Sequence, residues 1–138
     1  MKTLYTAHAT VLTGRDGSGK TDDGKLDVRL AFPKEIGGDG NGTNPEQLFA
    51  LGHAACFGTS LGITAKAQNK PVTDIKIHSS VDMILTDDGH YDLAVHFEVH
   101  AKGQDRKTME DLIEKTKEVC AYSRATKGRI KSEIVYVE

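Results

Sequence analysis

The feature that most constrains the fold is an apolar stretch over residues 48–67 that carries almost no charge. Asn44 and Pro45 precede it, the pattern of a helix N-cap followed by proline at the first helical position. A helix that is apolar on every side is expected to be buried on every side. Glycine disfavours helix, so its recurrence here with alanine indicates that another backbone packs very close. The sequence therefore predicts a long buried helix.

Period-2 alternation and turn residues predict strands on both sides of this helix. The predicted strands cover 3–13, 25–32, 72–86, 91–102 and 129–138. Asp88-Gly89 predicts a hairpin, and the glycine-rich segment 34–43 is interpreted as a mobile loop. Asp105 opens a second helix, whose apolar stripe contains Met109, Leu112, Ile113, Thr116 and Cys120. The order ββαββαβ has no parallel crossover pattern and predicts an α+β fold, with one domain over residues 1–138.

Composition excludes several classes of protein. The net charge of −2 comes without a Lys/Arg cluster, so no nucleic-acid partner is expected. The N-terminus lacks the apolar run of a signal peptide, and we find no stretch that approaches the ~18–20 apolar residues of a membrane span. Two cysteines are too few for a disulfide-stabilised secreted module. These observations predict a cytoplasmic protein without a membrane partner.

Residues 14–21 match the phosphate-loop pattern G-x-x-x-x-G-K-[ST]. That motif requires a helix directly after the loop, because its backbone amides bind the phosphates. Here Asp22-Asp23-Gly24 and a predicted strand follow instead. We therefore interpret residues 14–24 as a glycine-rich turn or flexible hairpin and not as a nucleotide site.

The two cysteines, Cys56 and Cys120, lie 64 positions apart. Each alone could be a small buried hydrophobe. With His53 they could also supply three zinc ligands, but no C-x-x-C or His-rich tract completes a metal site. Two thiols in different segments can also pass from dithiol to disulfide within one turnover. This third interpretation predicts redox chemistry that needs neither a cofactor nor a metal.

A peroxide-reducing thiol must be ionised, and in an apolar site that requires a nearby cation. Arg15 stays charged when buried and could also polarise the peroxide, while Glu46 could hold its guanidinium through two hydrogen bonds. Otherwise Arg15 is a solvated turn residue, and Glu46 is a first-turn acid favoured by the helix dipole. Glu46 precedes Cys56 by about 15 Å along the helix, beyond the reach of its side chain. We therefore predict that Glu46 comes from a second, antiparallel copy, which makes composite sites in an intertwined homodimer.

Four segments together carry a resemblance to a known family: Gly14–Gly17, Thr43–Ala50, Ala54–Phe57 and Cys120–Thr126. Over nearly its whole length the chain is similar to the organic hydroperoxide resistance branch of the Ohr/OsmC family. The resemblance implies that Cys56 is the peroxidatic thiol and Cys120 the resolving thiol, with Arg15 and Glu46 in the same site. It also implies an OsmC-like fold, in which antiparallel sheets wrap around the central helices of a homodimer.

The activity that the resemblance implies is reduction of hydrophobic alkyl and fatty-acid hydroperoxides to alcohols. A dithiol, typically the lipoyl group of a lipoylated protein, would regenerate the enzyme. One departure is Ala121, where the family usually has proline, which could loosen the turn that aims Cys120. The segment His53-Ala-Ala-Cys56 is also similar to the OsmC branch. An OsmC-branch peroxidase and a non-enzymatic thiol redox sensor are the alternatives.

Overall fold

A computed structural model describes all residues from Met1 to Glu138. The helices are α1 (Pro45–Ala67), α2 (Arg106–Lys117) and α3 (Ala121–Thr126). The strands are β1 (Ala9–Leu12), β2 (Gly17–Thr21), β3 (Asp27–Leu30), β4 (Thr73–Leu85), β5 (Tyr91–Lys102) and β6 (Lys131–Tyr136). This α+β composition confirms the predicted class. The chain forms two compact units, Met1–Leu48 and Phe49–Glu138, and the single domain over 1–138 stays a prediction.

In the first unit, β1, β2 and β3 form an antiparallel sheet in that order. Residues 14–24 were expected to form a turn or a flexible hairpin, and Gly17–Thr21 is instead the middle strand of the sheet, paired with both neighbours. Backbone hydrogen bonds to both neighbours hold this strand, so it needs no apolar alternation. At Gly17 a Cβ would overlap the carbonyl oxygen of Leu12, which explains a glycine at this close approach. The strand predicted over 3–13 is confined to Ala9–Leu12, the residues that pair with β2.

The segment between β3 and α1 runs back along the sheet, where it is hydrogen-bonded to β3, and leads into the N-terminus of α1. It includes a short 3-10 helix over Lys34–Ile36, in the segment expected to be a loop. Thr43 exchanges backbone hydrogen bonds with Arg29 and Ala31, each 3.0 Å long. The side chain of Asn44 then accepts the Gln47 N–H at 2.9 Å. This bond confirms the predicted N-cap of α1.

The second unit contains a mixed sheet in the order β4-β5-β6. β4 and β5 form the predicted antiparallel hairpin, and Gly89 in its turn has a φ of 86°. β6 runs parallel to β5, so the prediction of antiparallel pairing alone was wrong. The two strands point the same way because α2 and α3 carry the chain back across the sheet.

The second predicted helix ends earlier than expected. Its start is confirmed, since Asp105 accepts the Thr108 N–H at 2.9 Å. However, α2 ends at Lys117, and Cys120 precedes α3 with an extended backbone of φ −64° and ψ 122°. Such a ψ cannot continue an α-helix. Cys120 is therefore not on the stripe of α2, although it is fully buried.

The hydrophobic core of the second unit lies between α1, β5 and α2. Its buried members are Phe57, Leu61, Ala65, Val95, Phe97, Val99, Met109, Leu112, Ile113 and Cys120. The removal of these apolar side chains from water is the main stabilising contribution to the folded state.

Helix α1 is not buried on every side, which corrects the expectation from its composition. Leu51 is 72% exposed and Ile63 is 59% exposed within the single chain. The helix is also long and apolar enough to cross a membrane by length and composition, so the statement that no stretch approaches a span was wrong. The reason is that its only charged residues, Glu46 and Lys66, lie near its ends. Core helices of globular proteins pass the same test, so this finding by itself assigns no membrane role.

Candidate functional site

The structure brings the two thiols together. Cys56 lies in the middle of α1 and Cys120 directly before α3. The Cys120 thiol donates a hydrogen bond to the Cys56 sulfur, with the two Sγ atoms 3.4 Å apart. Both cysteines are free. A disulfide is about 2.05 Å long, so a small movement of either side chain would close this pair.

The environment of Cys56 favours its thiolate form. Burial by itself would raise the pKa of Cys56, but hydrogen bonds from four neighbours outweigh it and leave the pKa below the ordinary value. The donors are the Tyr122 N–H, the Cys120 thiol, the Ala121 N–H and the Ser60 hydroxyl. A lowered pKa increases the fraction of thiolate, the nucleophilic form, at neutral pH.

Sequence reasoning missed these neutral donors, because it assumed that only a cation could favour the thiolate. One of them could have been found. Ser60 follows Cys56 by four residues on a predicted helix, and residues at that spacing lie on the same face. The two backbone donors could not, because they depend on the helix break at Cys120 that the sequence pattern did not indicate.

The predicted contact between Arg15 and Glu46 is present in the first unit. The guanidinium donates from Nη1 to Oε2 at 2.8 Å and from Nη2 to Oε1 at 2.6 Å. Hydrogen bonding to Glu46 raises the pKa of Arg15, and hydrogen bonding to Arg15 lowers the pKa of Glu46. Both groups are therefore charged at neutral pH. This paired geometry fixes the plane of the guanidinium.

Local backbone geometry positions the two partners. Thr13 has a φ of 69° and Gly14 one of 152°, which turn the chain sharply after β1. A positive φ is uncommon for threonine, and such positions occur mostly where surrounding structure enforces them. Glu46 occupies the first turn of α1. The ion pair belongs to the first unit and the thiol pair to the second, so their union in one site stays a prediction.

His53 does not join the thiols as a metal ligand. No group of three or more His, Cys, Asp or Glu side chains has the geometry to hold a metal ion. His53 is 1% exposed, and its Nε2 lies 3.4 Å from the Ser123 Oγ. Burial lowers the pKa of His53, so its imidazole is neutral at pH 7.

The chain was compared with known families and with solved structures. The family model described as OsmC-like protein matches residues 38–135. This chain belongs to the OsmC-like family. An organic hydroperoxide resistance protein from Xanthomonas axonopodis pv. citri is 43% identical over 94% of this chain and 92% of that protein. Organic hydroperoxide resistance protein OhrB from Bacillus subtilis is 40% identical, over 92% and 93%. The predicted membership of the Ohr/OsmC family is therefore confirmed.

Solved structures extend this similarity to the fold. One match is the crystal structure of an organic hydroperoxide resistance protein OsmC from Legionella pneumophila, with a TM-score of 0.94 and 38% identity. The match covers 99% of this OsmC-like chain and 100% of that chain. The structure of OhrB from Bacillus subtilis covers 98%, with a TM-score of 0.89 and 38% identity, and the match spans 100% of that chain. The two small sheets and three helices are thus the fold of the family.

Proposed function

We propose that this protein is a cysteine-based peroxidase that reduces organic hydroperoxides to alcohols. The observation that carries the proposal is the thiol pair, in which a second thiol lies 3.4 Å from a cysteine whose pKa is lowered. The similarity to proteins named for organic hydroperoxide resistance, at 40–43% identity over most of the chain, supports the choice of substrate class. It supports equally a role in resistance to oxidative stress.

In the proposed cycle, the Cys56 thiolate attacks the terminal oxygen of ROOH and the O–O bond breaks. The oxygen stays on sulfur as sulfenic acid, and RO⁻ takes a proton and leaves as the alcohol. The Cys120 thiol then condenses with the sulfenic acid to form the Cys56–Cys120 disulfide and water. The approach of the two sulfurs to 3.4 Å supports this second step, since it needs no large rearrangement.

Arg15 is proposed to stabilise the thiolate and the negative charge on the departing oxygen, while Glu46 orients it. The bidentate geometry of the pair supports this role, because a guanidinium held at both nitrogens points in one direction. Glu46 and Cys56 are separated along α1, so we propose that the ion pair of one copy acts on Cys56 of a second copy. Exposed apolar residues on α1 and near the N-terminus support a homodimer that covers them: Leu4, Tyr5, Leu51 and Ile63.

An external dithiol is proposed to reopen the disulfide. A monothiol would leave a mixed disulfide, whereas the second thiol of a lipoyl group can close intramolecularly and release the reduced protein. The cycle starts from two reduced thiols, so we propose that the protein works in a reducing compartment such as the cytoplasm.

The test is peroxide consumption with dihydrolipoamide as reductant, compared among cumene hydroperoxide, tert-butyl hydroperoxide and hydrogen peroxide. We expect catalytic consumption, faster for the organic peroxides. Cys56→Ser should abolish it, and Cys120→Ser should consume about one equivalent and then stop. Consumption limited to one equivalent in the native protein would favour a redox sensor. If no peroxide is consumed, the two thiols have only a structural role.

Sedimentation tests the homodimer separately. We expect a dimer at micromolar concentration. A monomer with full peroxidase activity would refute the composite site, because Glu46 could not then reach the thiol.

A further inference from the structure

The buried imidazole of His53 has no part in the chemistry proposed above. Its Nδ1 is buried without any hydrogen-bond partner. A buried polar atom without a partner destabilises a protein, and an apolar ring of similar size would avoid that penalty. Core packing alone therefore does not account for a histidine at this position.

Two contacts of His53 join it to the segment that carries Cys120. Its ring stacks on Tyr122, with centroids 5.6 Å apart and an angle of 23° between the planes. Its Nε2 and the Ser123 Oγ share a hydrogen bond of 3.4 Å. These two partners are the second and third residues after the resolving thiol.

Two further aromatic side chains pack against the imidazole. Phe97 of β5 packs edge-on against it, with ring centroids 4.7 Å apart, and Phe49 does the same at 5.7 Å. The ring therefore cannot move without disturbing the buried Phe97 and the partly buried Phe49. Because His53 precedes Cys56 by three residues on α1, it lies on the same side of the helix about one turn away.

A third contact brings the same two segments together. A Cβ added at Gly52 would lie 3.1 Å from the Tyr122 hydroxyl, so the backbone of α1 is in close contact with that side chain. Helix α1 therefore contacts the Cys120 segment at three points: Gly52 against Tyr122, His53 against Ser123, and Cys56 against Cys120. Only the contact through His53 includes both a stacked ring and a hydrogen bond.

We propose that His53 is a positioning residue that holds the Cys120 segment against α1, and that it thereby sets how much Cys56 sulfenic acid becomes disulfide. The proposal rests on the peroxidase function proposed above. Two reactions compete for the sulfenic acid. In the first, Cys56–SOH and the Cys120 thiol give the disulfide and water. In the second, Cys56–SOH and another ROOH give Cys56–SO₂H and ROH, which ends activity. A displaced Cys120 slows only the first.

Three variants separate the contributions. His53→Phe keeps an aromatic ring on Tyr122 and removes the bond to Ser123, whereas Ser123→Ala removes the same bond from the other side. His53→Leu removes the stacking as well. Thr64→Val is the matched control, since Thr64 is a buried polar residue of α1, 6% exposed, whose hydroxyl also lacks a partner.

The first measurement follows the fate of the sulfenic acid. Reduced protein is treated with excess cumene hydroperoxide, and intact mass distinguishes disulfide, which has lost two hydrogens, from sulfinic acid, which has gained two oxygens. We expect His53→Phe and Ser123→Ala each to raise the ratio of sulfinic acid to disulfide by about three- to tenfold, the range for loss of one hydrogen bond. The double variant should resemble either single one, because both remove the same bond. His53→Leu should exceed them, and Thr64→Val should match the native protein.

The second measurement does not depend on peroxidase activity. Equilibration with glutathione redox buffers gives the effective concentration of one thiol at the other, and we expect the same variants to lower it by similar factors. A native protein that fails to consume peroxide, but whose effective thiol concentration falls in these variants, would refute the peroxidase function and keep the positioning role. A native protein that consumes peroxide, with His53→Phe and Ser123→Ala unchanged in both measurements, would overturn the role of His53. Ser123→Ala alters a side chain outside the core, so the test holds even if His53→Leu does not fold.

Discussion

Replacement of Ala121 by proline would test the origin of the lowered pKa of Cys56. Ala121 is the first residue of α3, a position that proline tolerates well. The residue before a proline must be extended, and Cys120 already has a ψ of 122°. The variant therefore removes one N–H donor from the Cys56 sulfur and leaves the backbone path unchanged.

The size of the effect follows from the lost hydrogen bond. A hydrogen bond to a charged group contributes about 1.5–3 kcal/mol, and about 1.4 kcal/mol corresponds to a factor of ten in the ratio of thiolate to thiol. Ala121 lowers the pKa of Cys56 less than the Tyr122 N–H and the Cys120 thiol do. We therefore expect the low end of this range, a decrease of about tenfold in thiolate at pH values below the pKa.

Alkylation of Cys56 by iodoacetamide across pH, followed by peptide mass spectrometry, measures this change. The alkylation rate of Ala121→Pro should rise with pH at higher values than that of the native protein. Ala121→Gly is the control, because it removes the side chain and keeps the N–H. Superimposable profiles for Ala121→Pro and Ala121→Gly would show that this amide does not stabilise the thiolate.

Three further predictions concern stability and assembly. Glu46→Gln should lower the free energy of unfolding at pH 7 by about 1 kcal/mol. Urea denaturation across pH measures the difference in free energy of unfolding between this variant and the native protein. Because Arg15 lowers the pKa of Glu46, this difference should persist above about pH 4.3 and vanish as the pH falls through the lowered pKa. Leu61→Ala should cost about 2–4 kcal/mol at equal protein concentration, since Leu61 is fully buried, and a smaller cost would contradict its place in the core. Leu51→Glu should shift the protein towards monomer in sedimentation, whereas Ile84→Glu on β4 should leave it dimeric. If both variants are dimers, the interface does not include Leu51.

Local signals in the sequence were enough to predict some elements. The start of α1 depended on Asn44 and Pro45 alone, and the β4–β5 hairpin on alternation around Asp88-Gly89. Each of these signals lies within a few residues of the structure that it specifies. The approach of Cys56 to Cys120 was expected because a redox pair must meet and because the family resemblance implied such a pair, and not from any local signal for secondary structure.

The elements that were mispredicted depend on distant partners. β2 is rich in glycine and is a strand only because β1 and β3 pair with it on both sides. The direction of β6 depends on where α2 and α3 return the chain to the sheet. The alternation of apolar and polar residues within 129–138 predicts a strand but carries no information on its direction. The end of α2 before Cys120 has no glycine or proline to mark it. The backbone donors to Cys56 were missed for the same reason.

The sequence separation of the thiol pair has a consequence for heat resistance. A bond between Cys56 and Cys120 would close a loop of 64 residues and would join α1 to the crossover between β5 and β6. Loop closure on that scale reduces the conformational entropy of the unfolded chain and stabilises the folded state by roughly 4 kcal/mol. The oxidised protein should accordingly melt at a higher temperature than the reduced one. Each turnover would then alternate a less stable molecule with a more stable one, and a melting curve could report the redox state of a population.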